Sequence, residues 1–348
     1  MPSARRLTAF ALAAFGVALF RAAGLPLPFL LGPMAACLAG ALAGLRMEGA
    51  PRISEAMRTV LGVAIGASVT PELVDRLGTM AASVVLIPLF TLACAATGAP
   101  LLRRAAGLDR VTAYYAAVPG GLTDMVILGG EAGGDIRAIS LIHVTRVLVI
   151  VSVAPALMAL DPTLSLDRPP GAPAGAIPPL ELALMALAAV VGLGYARRVG
   201  LFGAALLGPL FAAALLALVG RLTHRPPAEA LLAAQFFIGL SIGVTYVGVT
   251  ASELRRIVSV ALLHCVALAA LTALFVLLSI RLAGATPLEA ALAFAPGGQA
   301  EMAILALIAG ADVAFVVTHH MLRMVVVLIG APLGARVARR GEAWPSGR

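Results

Sequence analysis

The chain has 348 residues, 61% of them hydrophobic and only 12% charged, with a formal net charge of +8 and a mean hydropathy of +1.02. Soluble domains carry close to a quarter charged residues, and a water-soluble fold would lack the polar surface to cover this much Leu, Ala and Val, so a large soluble domain is excluded. The arginines stand in short scattered clusters rather than on one face, which excludes a nucleic-acid partner and fits the loops of a multi-pass membrane protein.

At about 20 residues per bilayer crossing, the chain is expected to be an all-α polytopic membrane protein with roughly ten to twelve transmembrane segments. Arg5-Arg6 followed by Leu7–Phe20 has the charge and length of a signal peptide. The same pattern recurs internally at Ala183–Ala196, where no signal is cleaved, so the stretch is read as the first span. Apolar segments follow at 7–23, 25–45, 56–70, 78–101, 111–129 and 135–160. Residues 161–179 carry six prolines and read as a semi-extended linker. Six more apolar segments lie at 180–197, 200–220, 229–249, 257–283, 288–309 and 313–337, and 338–348 form a basic cytoplasmic tail. Cys37, Cys94 and Cys265 all lie in apolar stretches without metal spacing and read as packing residues. No metal and no cofactor is expected.

The organisation is one unit written twice, repeat 1 over 1–160 and repeat 2 over 180–337. Leu30-Leu31-Gly32-Pro33 matches Leu206-Leu207-Gly208-Pro209 at an offset of 176. After one inserted residue the offset is 177: Gly62 and Gly66 fall on Gly239 and Gly243, Pro119-Gly120-Gly121 on Pro296-Gly297-Gly298, and Asp124-Met125 on Glu301-Met302. Asp135, His143 and Arg146 fall on Asp312, His320 and Arg323. Arginine placement puts Arg5/Arg6, Arg46/Arg52 and Arg103/Arg104/Arg110 in cytoplasmic loops, while the loop with Glu72 and Asp75 and the linker read as external. If repeat 1 then crosses an odd number of times, with its Pro-Gly-Gly segment dipping in and returning, repeat 2 is expected to be inverted; parallel repeats are the alternative. Arg197/Arg198 and Arg255/Arg256 agree with that topology, and Arg221/Arg225 and Arg281 do not.

Charge inside a lipid-embedded segment is costly and points to function. On a helix, Asp135, His143 and Arg146 share one arc of about 80° over roughly 16 Å, and Asp312, His320 and Arg323 repeat it. Each Arg lies mid-segment and must find a carboxylate, a carbonyl or a substrate anion. The Pro-Gly-Gly runs should break the preceding segments, because proline lacks a donor and paired glycines loosen the backbone. Gly/Pro-interrupted segments in corresponding positions of two halves mark a transporter binding site, and each half-helix beginning after the break offers N–H groups to an anion. The candidate substrate- and ion-binding residues are therefore Gly120, Gly121, Thr123, Asp124, Asp135, His143 and Arg146, with Gly297, Gly298, Gln299, Glu301, Asp312, His320 and Arg323. Two readings stay open for Asp124–Arg146 and Glu301–Arg323: ion pairs that only lock the fold, or pairs that also contact substrate or a coupling ion. His143 and His320 either bond a carbonyl or handle protons. His319, His264 and His224 read as packing or surface residues, and Gly62/Gly66 and Gly239/Gly243 as packing glycines. Ser68, Thr70, Ser241 and Thr245 offer only a weak hydroxyl signal.

The duplicated unit, with Pro-Gly-Gly-x-x-[Asp/Glu]-Met followed by Asp…His-x-x-Arg in each copy, resembles the bacterial AbrB-type membrane protein family over about 7–337. Members carry the labels ammonia monooxygenase and regulator of gene expression. The resemblance also implies kinship with cation/proton antiporter and bile-acid-type transporters, whose fold pairs inverted halves around crossed broken helices. The oxygenase label finds no ligand set among these five histidines, and the regulator label has no DNA-binding segment beneath it.

The expected function is secondary transport of a small anionic or zwitterionic solute, coupled to H⁺ or Na⁺, by alternating access around a midplane site in the bacterial inner membrane. The alternative is a non-transporting membrane sensor or regulator, with a membrane ammonia monooxygenase as the disfavoured third reading. No ATP-binding motif or nucleophile elbow is present, and no enzyme activity is expected. The expected partners are membrane lipid, the solute and its coupling cation, with a homodimer as the one protein partner considered.

Overall fold

The computed structural model describes residues 4–25, 27–69, 71–161, 171–201 and 204–339. Every regular element among them is helical. The first half of the chain forms α1 (Ala4–Ala22), α2 (Pro28–Leu42), α3 (Pro51–Gly66), α4 (Pro71–Ala106), α5 (Arg110–Ala117), α6 (Leu122–Glu131) and α7 (Ile136–Met158). The second forms α8 (Pro179–Arg198), α9 (Ala204–Leu218), α10 (Ala228–Val244), a short α11 (Ala251–Glu253) that leads into α12 (Ser259–Ala283), then α13 (Pro287–Phe294), α14 (Gln299–Ala309) and α15 (Val313–Arg339). Residues 162–170 of the expected linker and 340–348 of the expected tail lie outside the described residues.

Among the described residues five helices are long and apolar enough to cross a membrane, namely Met80–Ala106, Ile136–Met158, Pro179–Arg198, Ala251–Ala283 and Val313–Ala335. This is a polytopic membrane protein. Shorter apolar helices accompany them at Pro28–Leu42, Ala204–Leu218, Ala228–Val244 and Gln299–Ala309. An apolar segment is therefore not always a full span. Where Gly or Pro ends the hydrogen-bond ladder early, the helix stops short of the roughly 20 residues a crossing needs.

The chain forms two compact units, and neither follows the halves of the sequence. Unit 1 comprises Met1–Gly78, Val151–Val249 and Ala300–Val317; unit 2 comprises Thr79–Ile150, Thr250–Gln299 and Thr318–Arg348. Each draws on both copies of the repeat.

Within unit 1, backbone-to-backbone approach at glycine organises the packing. In lipid there is little hydrophobic drive between helices, so small residues that let backbones close in supply the contact. Helix α1 crosses α2 where Gly16 meets Gly32, and a Cβ on Gly32 would lie 2.6 Å from the Gly16 carbonyl oxygen. Helix α8 crosses α9 the same way at Gly192 and Gly208. The remaining pairs are exchanged between the copies. Gly62 and Gly66 of α3 rest on the Leu206 and Leu210 carbonyls of α9, while Gly239 and Gly243 of α10 rest on the Leu30 and Met34 carbonyls of α2. The Leu-Gly-Pro stretches of α2 and α9 thus lie at the crossing points. Two ion pairs tie one end of the unit: Arg6 Nη2 to Glu48 Oε1 at 2.6 Å and Arg197 Nη2 to Glu55 Oε1 at 2.7 Å. They bring together the start of α1, the α2–α3 loop, the start of α3 and the end of α8.

Unit 2 uses aromatic packing where unit 1 uses glycine. Phe90 of α4 meets Phe275 of α12 edge-on at 5.2 Å and Phe294 of α13 at 5.6 Å. At one end, Arg137 at the start of α7 pairs with Glu253 of α11, with Nη2 to Oε2 at 2.9 Å.

Gly192 and Gly194 stand two residues apart on α8, yet only at Gly192 would an added Cβ meet other atoms within 4 Å. Gly192→Val should lower stability by about 1–3 kcal/mol through overpacking. Gly194→Val should leave the melting temperature unchanged. Thermal unfolding of the two variants in detergent checks the contrast.

Candidate functional site

The two Pro-Gly-Gly runs do interrupt their segments. Helix α5 ends at Ala117 and α6 begins at Leu122; α13 ends at Phe294 and α14 begins at Gln299. The connecting backbone is buried from Val118 to Gly120 and from Ala295 to Gly297. Buried carbonyls released from a helix ladder need donors, and here side chains of the following long helix provide them.

In the first copy, His143 of α7 donates from Nε2 to the Tyr115 carbonyl at 2.9 Å, and Arg146 Nη2 donates to the Gly120 carbonyl at 3.0 Å. In the second, His320 of α15 donates from Nε2 to the Leu292 carbonyl at 2.9 Å, and Arg323 Nη2 reaches the Gly297 carbonyl at 3.1 Å. Tyr115 and Leu292, like Gly120 and Gly297, are separated by the same 177 residues. Arg323 goes further: Nη1 donates to the Ala295 carbonyl at 2.9 Å and Nη2 to His320 Nδ1 at 2.8 Å. All four side chains are enclosed, with His143 and His320 at 0% exposure, Arg146 at 2% and Arg323 at 3%.

The expected pairing of these arginines with Asp124 and Glu301 does not form. Among the described residues neither guanidinium makes an ion pair with a carboxylate; both bind carbonyls instead. Asp124 and Glu301 stay half-buried in the first turns of α6 and α14, where the helix dipole favours negative charge. Arg58 of α3 lies within electrostatic range of Glu301. A second expectation also changes. Asp135 is exposed and caps α7, accepting from the Arg137 and Ala138 N–H groups at 2.9 and 3.1 Å. Asp312 caps α15 through the Ala314 and Phe315 N–H groups at 3.0 and 3.1 Å. Shared helical phase put these carboxylates on the arginine face, but a helix start lies too far along the axis for contact. Of the other candidates, Gly120 is required by close approach, since a Cβ there would lie 2.8 Å from Met125 and Val327. Gly121, Gly298 and Gln299 are half-buried beside the breaks, and Gln299 Nε2 has no partner. The side chain of Thr123 lies outside the described residues.

Cys94, Cys265, His264 and His319, read from the sequence only as packing or surface residues, are all buried. Cys94 of α4 lies in electrostatic range of both Arg146 and Arg323, and Cys265 of α12 in range of Arg146. His264 of α12, fully buried, packs against Gly98 beside Ala117. His319 bonds Ser83 at 2.9 Å and stacks edge-on against Phe294. The carbonyls of Tyr115, Leu292 and Ala295 give no sequence signal, because any residue supplies one.

Fold and site together define a helical membrane protein whose two broken helices are each bound by a buried His-x-x-Arg pair. The chain belongs to the AbrB family: residues 7–339 match its model, described as "Transition state regulatory protein AbrB". It is 28% identical over 325 residues to "Putative regulator AbrB" of Escherichia coli (strain K12), covering 91% of each chain. It is 27% identical over 289 residues to "Uncharacterized protein YhjN" of Bacillus subtilis (strain 168), covering 78% of this chain and 75% of that one.

If Asp135 acts only as a cap, Asp135→Ala should cost about 1 kcal/mol and Asp135→Asn almost nothing. Thermal melts of the two variants beside the wild-type protein test this.

Proposed function

We propose that this protein is a secondary transporter of a small anionic solute in the bacterial inner membrane, coupled to H⁺ or Na⁺. One observation carries the reading: two buried guanidiniums in unit 2, in electrostatic range of one another, with no carboxylate paired to either among the described residues. Enclosing a charge costs several kcal/mol after relaxation unless a counter-charge is supplied. Carbonyl dipoles offset part of that cost, and an anionic cargo would offset the rest. The buried, non-helical backbone at both breaks supports the same reading, since such backbone is tolerated at membrane depth where it is enclosed by protein or lines a cavity. In this scheme Arg146 and Arg323 bind the anion. Asp124 and Glu301 are the groups left to exchange the coupling cation, and His143 and His320 hold the broken helices in place. The ion pairs at the start of α1 and the end of α8 support inverted repeats, because these matching helices then run in opposite directions within unit 1.

The name of the Escherichia coli relative favours a second reading, a membrane sensor that binds a ligand without moving it. Purified protein in proteoliposomes, offered a panel of labelled small organic anions under imposed pH and Na⁺ gradients, separates the two. Saturable, gradient-dependent uptake is expected, and Arg146→Met or Arg323→Met should reduce it at least about tenfold, the factor expected for losing a charged hydrogen bond. Both variants should remain monodisperse. Ligand-induced thermal stabilisation without flux would favour the sensor.

A further inference from the structure

The two His-x-x-Arg pairs occupy equivalent positions but are satisfied to different degrees, and the difference describes a ligand. In the second copy the set is more nearly closed, and of its buried polar atoms only Arg323 Nε is left without a partner among the described residues. His320 Nε2 donates to Leu292, so Nδ1 carries the lone pair, and that lone pair accepts from Arg323 Nη2 at 2.8 Å. The other amino group of Arg323 is held by the Ala295 carbonyl at 2.9 Å. In the first copy the same tautomer follows from His143 Nε2 donating to Tyr115. There, however, His143 Nδ1 and Arg146 Nε and Nη1 have no partner among the described residues, although all three atoms are buried. The carbonyl equivalent to Ala295 is that of Val118, and it is taken up by the Gly120 N–H at 2.8 Å. Among the described residues Arg146 makes no bond to that carbonyl, whereas Arg323 bonds its counterpart. Buried polar groups without partners are rare in folded proteins, and each calls for a specific explanation.

We infer that the first-copy pair is the recognition site for a small 2-hydroxycarboxylate, whose carboxylate accepts from Arg146 and whose hydroxyl donates to Nδ1 of His143. The assignment rests on the anion-transport reading and narrows it. Arg146 offers donors only, so its partner must be an acceptor; neutral His143 offers a lone pair, so its partner must be a donor. Positions three apart on a helix are neighbours, and in the second copy the two side chains converge to 2.8 Å. A 2-amino acid would also supply a donor. Its ammonium, however, would stand beside two guanidiniums with no paired carboxylate to balance it. A hydroxyl donates without adding charge, so the hydroxy acid is selected over both the amino acid and the plain acid. The second-copy pair, with three bonds from Arg323 and one from His320 Nε2, acts as a latch on its broken helix.

The test is binding of glycolate, acetate and glycine to purified full-length protein at pH 7, by calorimetry and thermal shift. Glycolate should bind about tenfold more tightly than acetate, since a site built around a hydroxyl discriminates against the analogue lacking it. Glycine should bind more weakly than acetate. His143→Phe should bring glycolate down to the affinity of acetate, and Arg146→Lys should weaken both anions together. Equal wild-type affinities for glycolate and acetate, or a preference that persists in a folded His143→Phe protein, would overturn the hydroxyl assignment while leaving anion binding intact. Should His143→Phe fail to fold, the wild-type ratio alone decides. No binding of any of the three, with no saturable uptake of the wider anion panel, would overturn the anion reading itself.

Discussion

A guanidinium that cannot reach water needs its donors satisfied and its charge offset, and the architecture of unit 2 follows from that need. Arg146 and Arg323 each sit mid-way along a long apolar helix. An intact neighbouring helix offers them nothing, because its carbonyls are consumed by its own ladder. Pro-Gly-Gly breaks that ladder at membrane depth and frees carbonyls, which would themselves be costly without a donor. Each defect supplies what the other requires. The histidine three residues before each arginine binds a carbonyl at the end of the preceding half-helix, so the break is held from two points. What this arrangement leaves unbalanced is net positive charge, and that residue of charge is the basis for an anionic cargo.

The rest of the chain meets a different constraint, which is to pack helices in a solvent as apolar as their side chains. With 36 glycines and few aromatic residues, unit 1 brings backbones together and gains dispersion contacts and weak C–H···O interactions. Its helices exchange partners between the two halves of the sequence, α3 on α9 and α10 on α2. Neither half could bury these glycine faces alone. The repeat is thus a unit of sequence, while the compact bodies are assembled from both copies.

Equivalent sequence does not force equivalent bonding. Arg323 and Arg146 occupy matching positions, yet one makes three hydrogen bonds and the other one. The two copies also differ locally, since the carbonyl two residues before the first glycine accepts from the turn in the first copy and from Arg323 in the second. Matching positions 177 residues apart thus differ in how many of their buried donors are met.

Much was legible from the residues alone. Hydropathy identified the solvent, the recurrence at 177 residues located the exceptional charges, and proline with paired glycine marked both breaks, because a missing N–H and a missing Cβ act within a few residues. The partners of the arginines were not legible. Carboxylates attract attention in a sequence and carbonyls do not, so Asp124 and Glu301 looked like natural counter-ions, and Asp135 and Asp312 like ligands. Helical phase could show that Asp135 shares a face with Arg146, but not that a helix begins there and uses the carboxylate to cap itself. The low charge content determined by itself that this chain lives in a membrane and that a few buried charges matter. Which atoms those charges touch was decided only by the tertiary structure, because a backbone carbonyl becomes a partner only when distant segments bring it within about 3 Å of a donor.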